Sequence, residues 1–214
     1  ARLIGPLLSE RLGQPVIVEN RPGAGSTIGA AFVASGDASG HTLLMSNSSP
    51  MSISPALMDK PAYDPIKSFR HLVYIGDVPT VLVVHPSLGI TDFPGFLAWA
   101  RSQKEPIAFG SGGAASVGHI VGEMLAQKAG LKLSHIPYRG AGPMRSDLLG
   151  GQIKVAVDAL PQNLQFQKLG QLRLLAVSSA RRVAQAPDIP TFDELGLPGL
   201  VAENFVGISG PAGM

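Results

Sequence analysis

Two short stretches carry most of the chemistry that residue type and spacing can suggest. The first is Val16-Ile-Val-Glu-Asn20-Arg-Pro-Gly-Ala-Gly-Ser-Thr-Ile-Gly29, the second Pro106-Ile-Ala-Phe-Gly-Ser-Gly-Gly-Ala-Ala-Ser-Val-Gly-His119. Each runs from an apolar, strand-like run through glycines and small hydroxyl residues into a helical pattern. Such a loop leaves backbone N–H groups free to meet an anion, and the helix dipole favours negative charge there. Two such loops in one chain suggest two lobes gripping one acidic ligand from opposite sides.

Spacing removes several other readings. Gly23-Ala-Gly25-Ser-Thr-Ile-Gly29 is one residue too long for a dinucleotide fingerprint, and Thr42 to Ser46 leads into Asn47 rather than an acidic residue. Neither loop holds the lysine of a phosphate-binding Walker loop. Around Ser111 the order Phe109-Gly-Ser-Gly-Gly113 misplaces the first glycine of a hydrolase elbow. Two alternatives remain: an orphan sensor that presents its bound acid to a signalling partner, and an α/β enzyme acting on a small acidic metabolite through Ser111 or His119. The enzyme would need a base and a nucleophile within hydrogen-bond reach, and the sequence offers no such pair.

The other candidates each keep two readings. Ser111 and Ser116 can cap a helix, touch a ligand, or do both, because capping and anion binding use the same orphan N–H groups. His119 opens a helix and either faces the cleft or packs. None of the five histidines sits at a metal-ligand spacing, so no metal or cofactor is expected. Asp158 ends a strand and is either an N-cap or a contact to a ligand donor or a bridging water. Arg139 and Arg21 could pair with a carboxylate or stay solvated. Trp99, beside Phe96, reads as core.

These loops need rigid elements behind them. Hydrophobic content is 45%, charged content 15% and mean hydropathy +0.23, which argues for a sizeable core and against disorder. A net charge of +2 without a basic block gives no case for nucleic acid. The absence of cysteine excludes disulfides and thiolate chemistry. No apolar run approaches the ~20 residues of a membrane-spanning helix. Strands are predicted near 15–19, 42–46, 72–76, 80–84, 106–109, 133–137, 153–158, 173–178 and 203–208. Helices are predicted over 1–12, near 26–35, from a cap at Thr91 or Asp92 to about 102, near 115–129, from the end of the loop 138–143 to Leu149, and near 160–168, and the stretch from Asn47 to Ser52 reads as a polar loop. The short spacings and Val/Ile/Leu-rich strands predict parallel sheets covered on both faces, with ligands beyond the strands' carboxyl ends. Residues 1–79 with 201–214 are expected to form one lobe and 80–200 the other, joined by two crossings near 80 and 203.

At this point the sequence resembles a known family. Leu12-Gly-Gln-Pro-Val-Ile-Val-Glu-Asn-Arg-Pro-Gly-Ala-Gly25 is similar to a hallmark of the Bug (TctC) family, the extracytoplasmic solute receptors of tripartite tricarboxylate transporters. The likeness continues in Gly40-His-Thr-Leu-Leu44, Pro79-Thr-Val-Leu-Val-Val84, His135-Ile-Pro-Tyr-Arg-Gly140, Asp147-Leu-Leu-Gly-Gly-Gln152 and Pro187-Asp-Ile-Pro-Thr191. The resemblance implies a type II periplasmic binding-protein fold of two α/β lobes. It implies a monomer in the periplasm that captures a small di- or tricarboxylate or aromatic acid for a membrane permease, without catalysis. Carried onto this chain, it places Gly23, Ala24, Gly25 and Ser26 on the ligand, with Asn47 and Ser48 nearby. From the other lobe it places Ser111, Gly112, Ser116, Gly140, Ala141 and Asp158 there. Family members also carry an earlier strand with a Pro-Gly-Gly loop, and a later helix. The resemblance therefore implies that the first lobe is incomplete within these residues and that one further loop of the site lies upstream.

Overall fold

The computed structural model describes residues 1–214. Seven helices and seven strands follow one another along the chain. The first part contains α1 (Gly5–Leu12), α2 (Thr27–Ala34), β1 (Leu44–Asn47), the short α3 (Ser54–Ala56) and the long β2 (Phe69–Val84). Then come α4 (Phe93–Ser102), β3 (Ile107–Ser111), α5 (Val117–Ala129), β4 (Leu133–Pro137) and α6 (Ala141–Leu149). The chain closes with β5 (Val155–Ala159), α7 (Leu160–Lys168), β6 (Arg173–Val177) and β7 (Glu203–Pro211).

β2 is the axis of the molecule. The two apolar runs expected as separate strands fuse into these 16 residues, and the strand changes partners midway. From Phe69 to Pro79 it pairs antiparallel with β7, which carries β1 on its other edge. From Thr80 to Val84 it lies between β5 and β6, antiparallel to both. Among the strands, parallel pairing is confined to β3 with β4 and β5, with one isolated parallel bridge from Val177 to Thr191, so the all-parallel expectation is corrected. The physical reason is direction. β2 enters the second sheet from the first, opposite to the strands that the βαβ turns lay down. The chain returns at Ala202, whose N–H donates to Ser178 O (2.9 Å), just before β7 begins. Ser178 pins both crossings, since its Oγ donates to Ala202 O at 2.6 Å and lies 2.8 Å from Thr80 Oγ1.

The second sheet is sandwiched between helices. The period-two alternation of β2 divides its buried residues between two cores. Leu82 and Val84 join a cluster of 19 buried residues that includes Phe93, Phe96, Phe109 and Phe192. Val81 and Val83 join a cluster of 12 that includes Met144, Leu148 and Leu160 from α6 and α7. The first sheet has a cluster of only five: Ala30, Val33, Met51, Tyr63 and Phe69.

Two further expectations fail here. The strand near 15–19 does not form, and Ile17 is 87% exposed. No strand lies beside it to complete a ladder, and Val16 N–H donates to Ser9 Oγ instead (2.8 Å). The polar stretch after Asn47 is not a loop but a helical turn, Ser49–Ile53, running into α3.

Candidate functional site

Three strand-to-helix or helix-entry loops meet at one cavity of about 510 Å³. The first precedes α2. Ala24, Gly25 and Ser26 all have positive φ (46°, 61° and 70°), a run that turns successive N–H groups to one side. Glycine is required at the centre. A Cβ on Gly25 would run into Ser54 Oγ and lie 3.2 Å from Ala114 O of the second loop. The two glycine loops therefore touch across the cleft.

The second loop joins β3 to α5. Ser116 caps α5 by accepting from His119 N–H (3.2 Å), and Ala115 holds φ 59° with its N–H donated to His119 Nδ1 (3.2 Å). The third loop joins β4 to α6 and is zipped to the second. Tyr138 N–H donates to Ser111 O (3.2 Å) and Gly140 N–H to Gly112 O (3.0 Å). Tyr138 is anchored by donating to Asp147 Oδ2 (2.8 Å), and burial together with that carboxylate raises its phenol pKa.

The N–H groups of Gly23, Ala24, Gly25, Gly112 and Ala114 donate to no acceptor within the protein, although all five residues line the cavity. Buried or cleft-facing donors need partners, and α2 and α5 add their dipoles at the same place. Arg139 is the one charged side chain in the lining. The arrangement suits a small anion held mainly by backbone.

Of the residues expected here, Gly23, Ala24, Gly25, Ser26, Gly112, Ser116, Arg139 and Gly140 line the cavity. Six others do not, each for a local reason. Asn47 turns its Oδ1 to Ser49 N–H (3.0 Å). Ser48 is stitched to β7, accepting from Phe205 N–H (3.0 Å) and donating to Glu203 O (3.3 Å). Ala141 packs on the core between α6 and the second sheet. His119 stacks on His135, with ring centroids 3.9 Å apart. Asp158 neither caps α7 nor reaches the cavity. Its Oδ2 accepts from Arg145 Nη2 (2.8 Å) and Asn163 Nδ2 (2.8 Å), a pairing that the burial of a carboxylate demands.

Ser111 is fully buried, and its Oγ lies 2.6 Å from His135 Nε2. This is the base–hydroxyl pair that the sequence did not offer, because 24 residues and a parallel strand pairing separate the partners. The hydroxyl is fully buried and outside the cavity lining, and the imidazole has no carboxylate partner of the kind that orients the base of a catalytic triad. His135 is held neutral well below its ordinary range, at about 4, first by burial and then by His119.

Sequence reasoning missed Pro22, Ser49, Gly113, Ala114 and Tyr138 in the lining, and Arg145 as the partner of Asp158. Ser49 and Tyr138 were within reach, each being adjacent to a residue already singled out. Arg145 carried no signal beyond the rule that a strand-end aspartate needs a cation.

A two-sheet α/β molecule whose halves are joined by crossing strands, with a backbone-lined anion cleft, has the form of a periplasmic type II binding protein. The comparisons specify the family. The model of the tripartite tricarboxylate transporter family receptor (TctC) matches residues 1–214, and the chain belongs to that family. It is 36% identical to BugT of Bordetella pertussis over 214 residues, all of this chain and 66% of that protein. The periplasmic binding protein BugD superposes with a TM-score of 0.93 at 31% identity, over 99% of this chain and 71% of that one. Rpa4515 of R. palustris, solved with adipate, superposes with a TM-score of 0.94 at 30% identity, over 99% and 71%. The chain thus spans 66% of the length of the curated relative BugT. Family and fold are those of solute-binding receptors rather than enzymes.

Proposed function

We propose that this chain is the ligand-binding part of a periplasmic receptor that captures a small organic carboxylate and hands it to the permease of a tripartite tricarboxylate transporter. The observation that carries this reading is the set of unshared N–H groups of Gly23, Ala24, Gly25, Gly112 and Ala114 around one cavity. A carboxylate supplies acceptors for donors of this kind, and the three adjoining helix N-termini favour its charge. The adipate bound by Rpa4515 supports the chemical class. Residues 1–79 with 201–214 act as one jaw and 80–200 as the other, and the crossings at Thr80 and Ala202 are the hinge. The lining glycines and serines named above contact the ligand, with Arg139 at the rim. The receptor acts as a monomer, and the permease reads its closed shape.

A thermal-shift screen tests the proposal, using citrate, C4 to C6 dicarboxylates, nicotinate and aromatic acids. A ligand present at 100 times its Kd adds about 2.7 kcal/mol of stability. A melting temperature unchanged by every one of these acids would sink the carboxylate reading.

A further inference from the structure

The helix behind the second glycine loop starts on a reciprocal pair of hydrogen bonds. Ser116 Oγ accepts from His119 N–H (3.2 Å), and His119 Nδ1 reaches back to accept from Ala115 N–H (3.2 Å). Ser116 is the N-cap of α5 and His119 its third residue, so the pair has the form of a capping box. Two things set it apart. The returning acceptor is an imidazole where glutamate or glutamine is usual. It also meets the N–H one residue before the cap, because Ser116 N–H is already donated to Gly113 O (3.2 Å).

The direction of the returning bond is fixed, since a backbone N–H can only donate. His119 Nδ1 is therefore bare, its one ring proton is on Nε2, and the ring is uncharged. Beside it stand His135 of β4, stacked on its face, and Glu123 of α5, whose half-exposed carboxylate lies 3.7 Å from Nε2. A trans peptide points its N–H and C=O in opposite directions. With Ala115 N–H turned in to His119, Ala114 O is sent out to the first loop, where it lies 3.2 Å from the place a Cβ on Gly25 would take. The same bond helps to hold Ala115 at φ 59°, a conformation that costs an alanine energy unless its surroundings impose it. Ala114 and Ser116, on either side, both line the cavity.

We infer that His119 is a positioning residue for the ligand site: as an uncharged acceptor it fixes the Ala114–Ala115 peptide against the first loop, and it does so without setting a negative charge behind the free N–H groups of Gly112 and Ala114. The inference rests on the carboxylate-receptor reading and deepens it. The glutamate of an ordinary capping box would secure the loop and at the same time repel the anion held there. Imidazole separates the two effects. It accepts the hydrogen bond and leaves the positive end of the α5 dipole unopposed.

Three variants of the full chain test this. All lose the stacking on His135, so they are compared with one another. His119→Asn keeps a neutral acceptor, because Oδ1 stands as many bonds from the backbone as Nδ1. His119→Asp keeps the acceptor and adds the charge, and His119→Leu removes the acceptor. Calorimetry uses whichever of citrate, succinate, adipate, nicotinate and benzoate binds the unaltered chain. His119→Asp and His119→Leu should each bind it at least about fivefold more weakly than His119→Asn. The deficit of His119→Asp should shrink with added salt, and that of His119→Leu should not. In chemical denaturation His119→Asp should be no less stable than His119→Asn, because a carboxylate suits a helix N-terminus. In the unliganded chain, long-range proton–nitrogen NMR should show a bare Nδ1 on His119, and the Gly25 signals should move in His119→Leu relative to His119→Asn. Equal affinities of the Asn and Asp variants or of the Asn and Leu variants, a stability order that matches the affinity order, unmoved Gly25 signals, or a proton on Nδ1 would overturn the inference and leave the carboxylate reading standing. If His119→Leu does not fold, the Asn and Asp variants and the state of Nδ1 still decide it. Failure of every acid in the thermal-shift screen would remove both.

Discussion

The two glycine loops look alike in sequence and are held in place by different means. The second, between β3 and α5, rests on side chains: Ser116 caps the helix, Ala115 N–H is tied to His119, and Ser111 is tied to His135. Behind it stand buried clusters of 19 and 12 residues. The first loop rests mainly on backbone conformation, with four consecutive residues, Gly23 to Ser26, at positive φ, and two hydroxyls donating to its carbonyls, Thr27 Oγ1 to Ala24 O (2.7 Å) and Ser54 Oγ to Gly25 O (3.2 Å). Behind it stands a cluster of five. Similar anion-binding loops can thus be held by a polar side-chain scaffold or by strained backbone. The second route depends more on the residues that permit the strain.

The largest effect that would separate the two regions is on stability. Phe96 is fully buried between Phe93 and Trp99, and Phe96→Ala should cost about 3–5 kcal/mol in chemical denaturation. Phe69 packs edge-on against Tyr63 in the small cluster, and Phe69→Ala should cost about 3 kcal/mol or less, because fewer atoms surround the void. Equal costs would erase the distinction between a deep and a thin core.

The next effect is on ligand affinity. Gly25→Val places a branched side chain at φ 61° against Ser54 and Ala114, so carboxylate affinity should fall at least about tenfold, or 1.4 kcal/mol. Ser26→Ala, which alters only a side chain in the first loop, should leave affinity within about twofold, well under 1 kcal/mol. Calorimetry showing the reverse order would mean that side chains, not backbone, make the first loop.

The smallest effect concerns pH and belongs to the second region alone. His135 has its pKa lowered to about 4 in the folded protein, against an ordinary value of 6.5. Between those values the unfolded chain binds more protons, so His135 favours folding at neutral pH and that contribution is lost as pH falls from 6.5 towards 4. His135→Gln should flatten the fall in melting temperature across that window. A curve parallel to wild type would show that the imidazole is not the titrating group.

Much of this was legible in the residues, and the failures have physical causes. A cap at Thr91 or Asp92 was legible for the following helix, and Asp92 is the one that supplies it, its Oδ1 accepting from Gly95 N–H at 2.7 Å, because capping is a local, i to i+3 interaction. The strand near 15–19 failed because periodicity reports amphipathicity and not whether a partner lies alongside. The direction of β2 was lost for a similar reason, since strand residues look alike whichever way their neighbours run. Ser48, Ser111 and Asp158 have the right chemistry at strand ends, but their polar atoms are claimed by β7, His135 and Arg145.

The sequence by itself determined the local pieces: glycine loops, helix starts, buried strand runs, and the family whose motifs run through them. These depend on φ preferences, capping and hydrophobic period, which act over a few residues. Tertiary structure alone decided which hydroxyls face the cleft and which are spent behind it. Ser111 and Ser116 are chemically identical and five residues apart. One is buried on an imidazole brought from another strand, while the other lines the cavity. That choice depends on which groups the fold brings within about 3 Å of each hydroxyl, and residue spacing along the chain does not contain it.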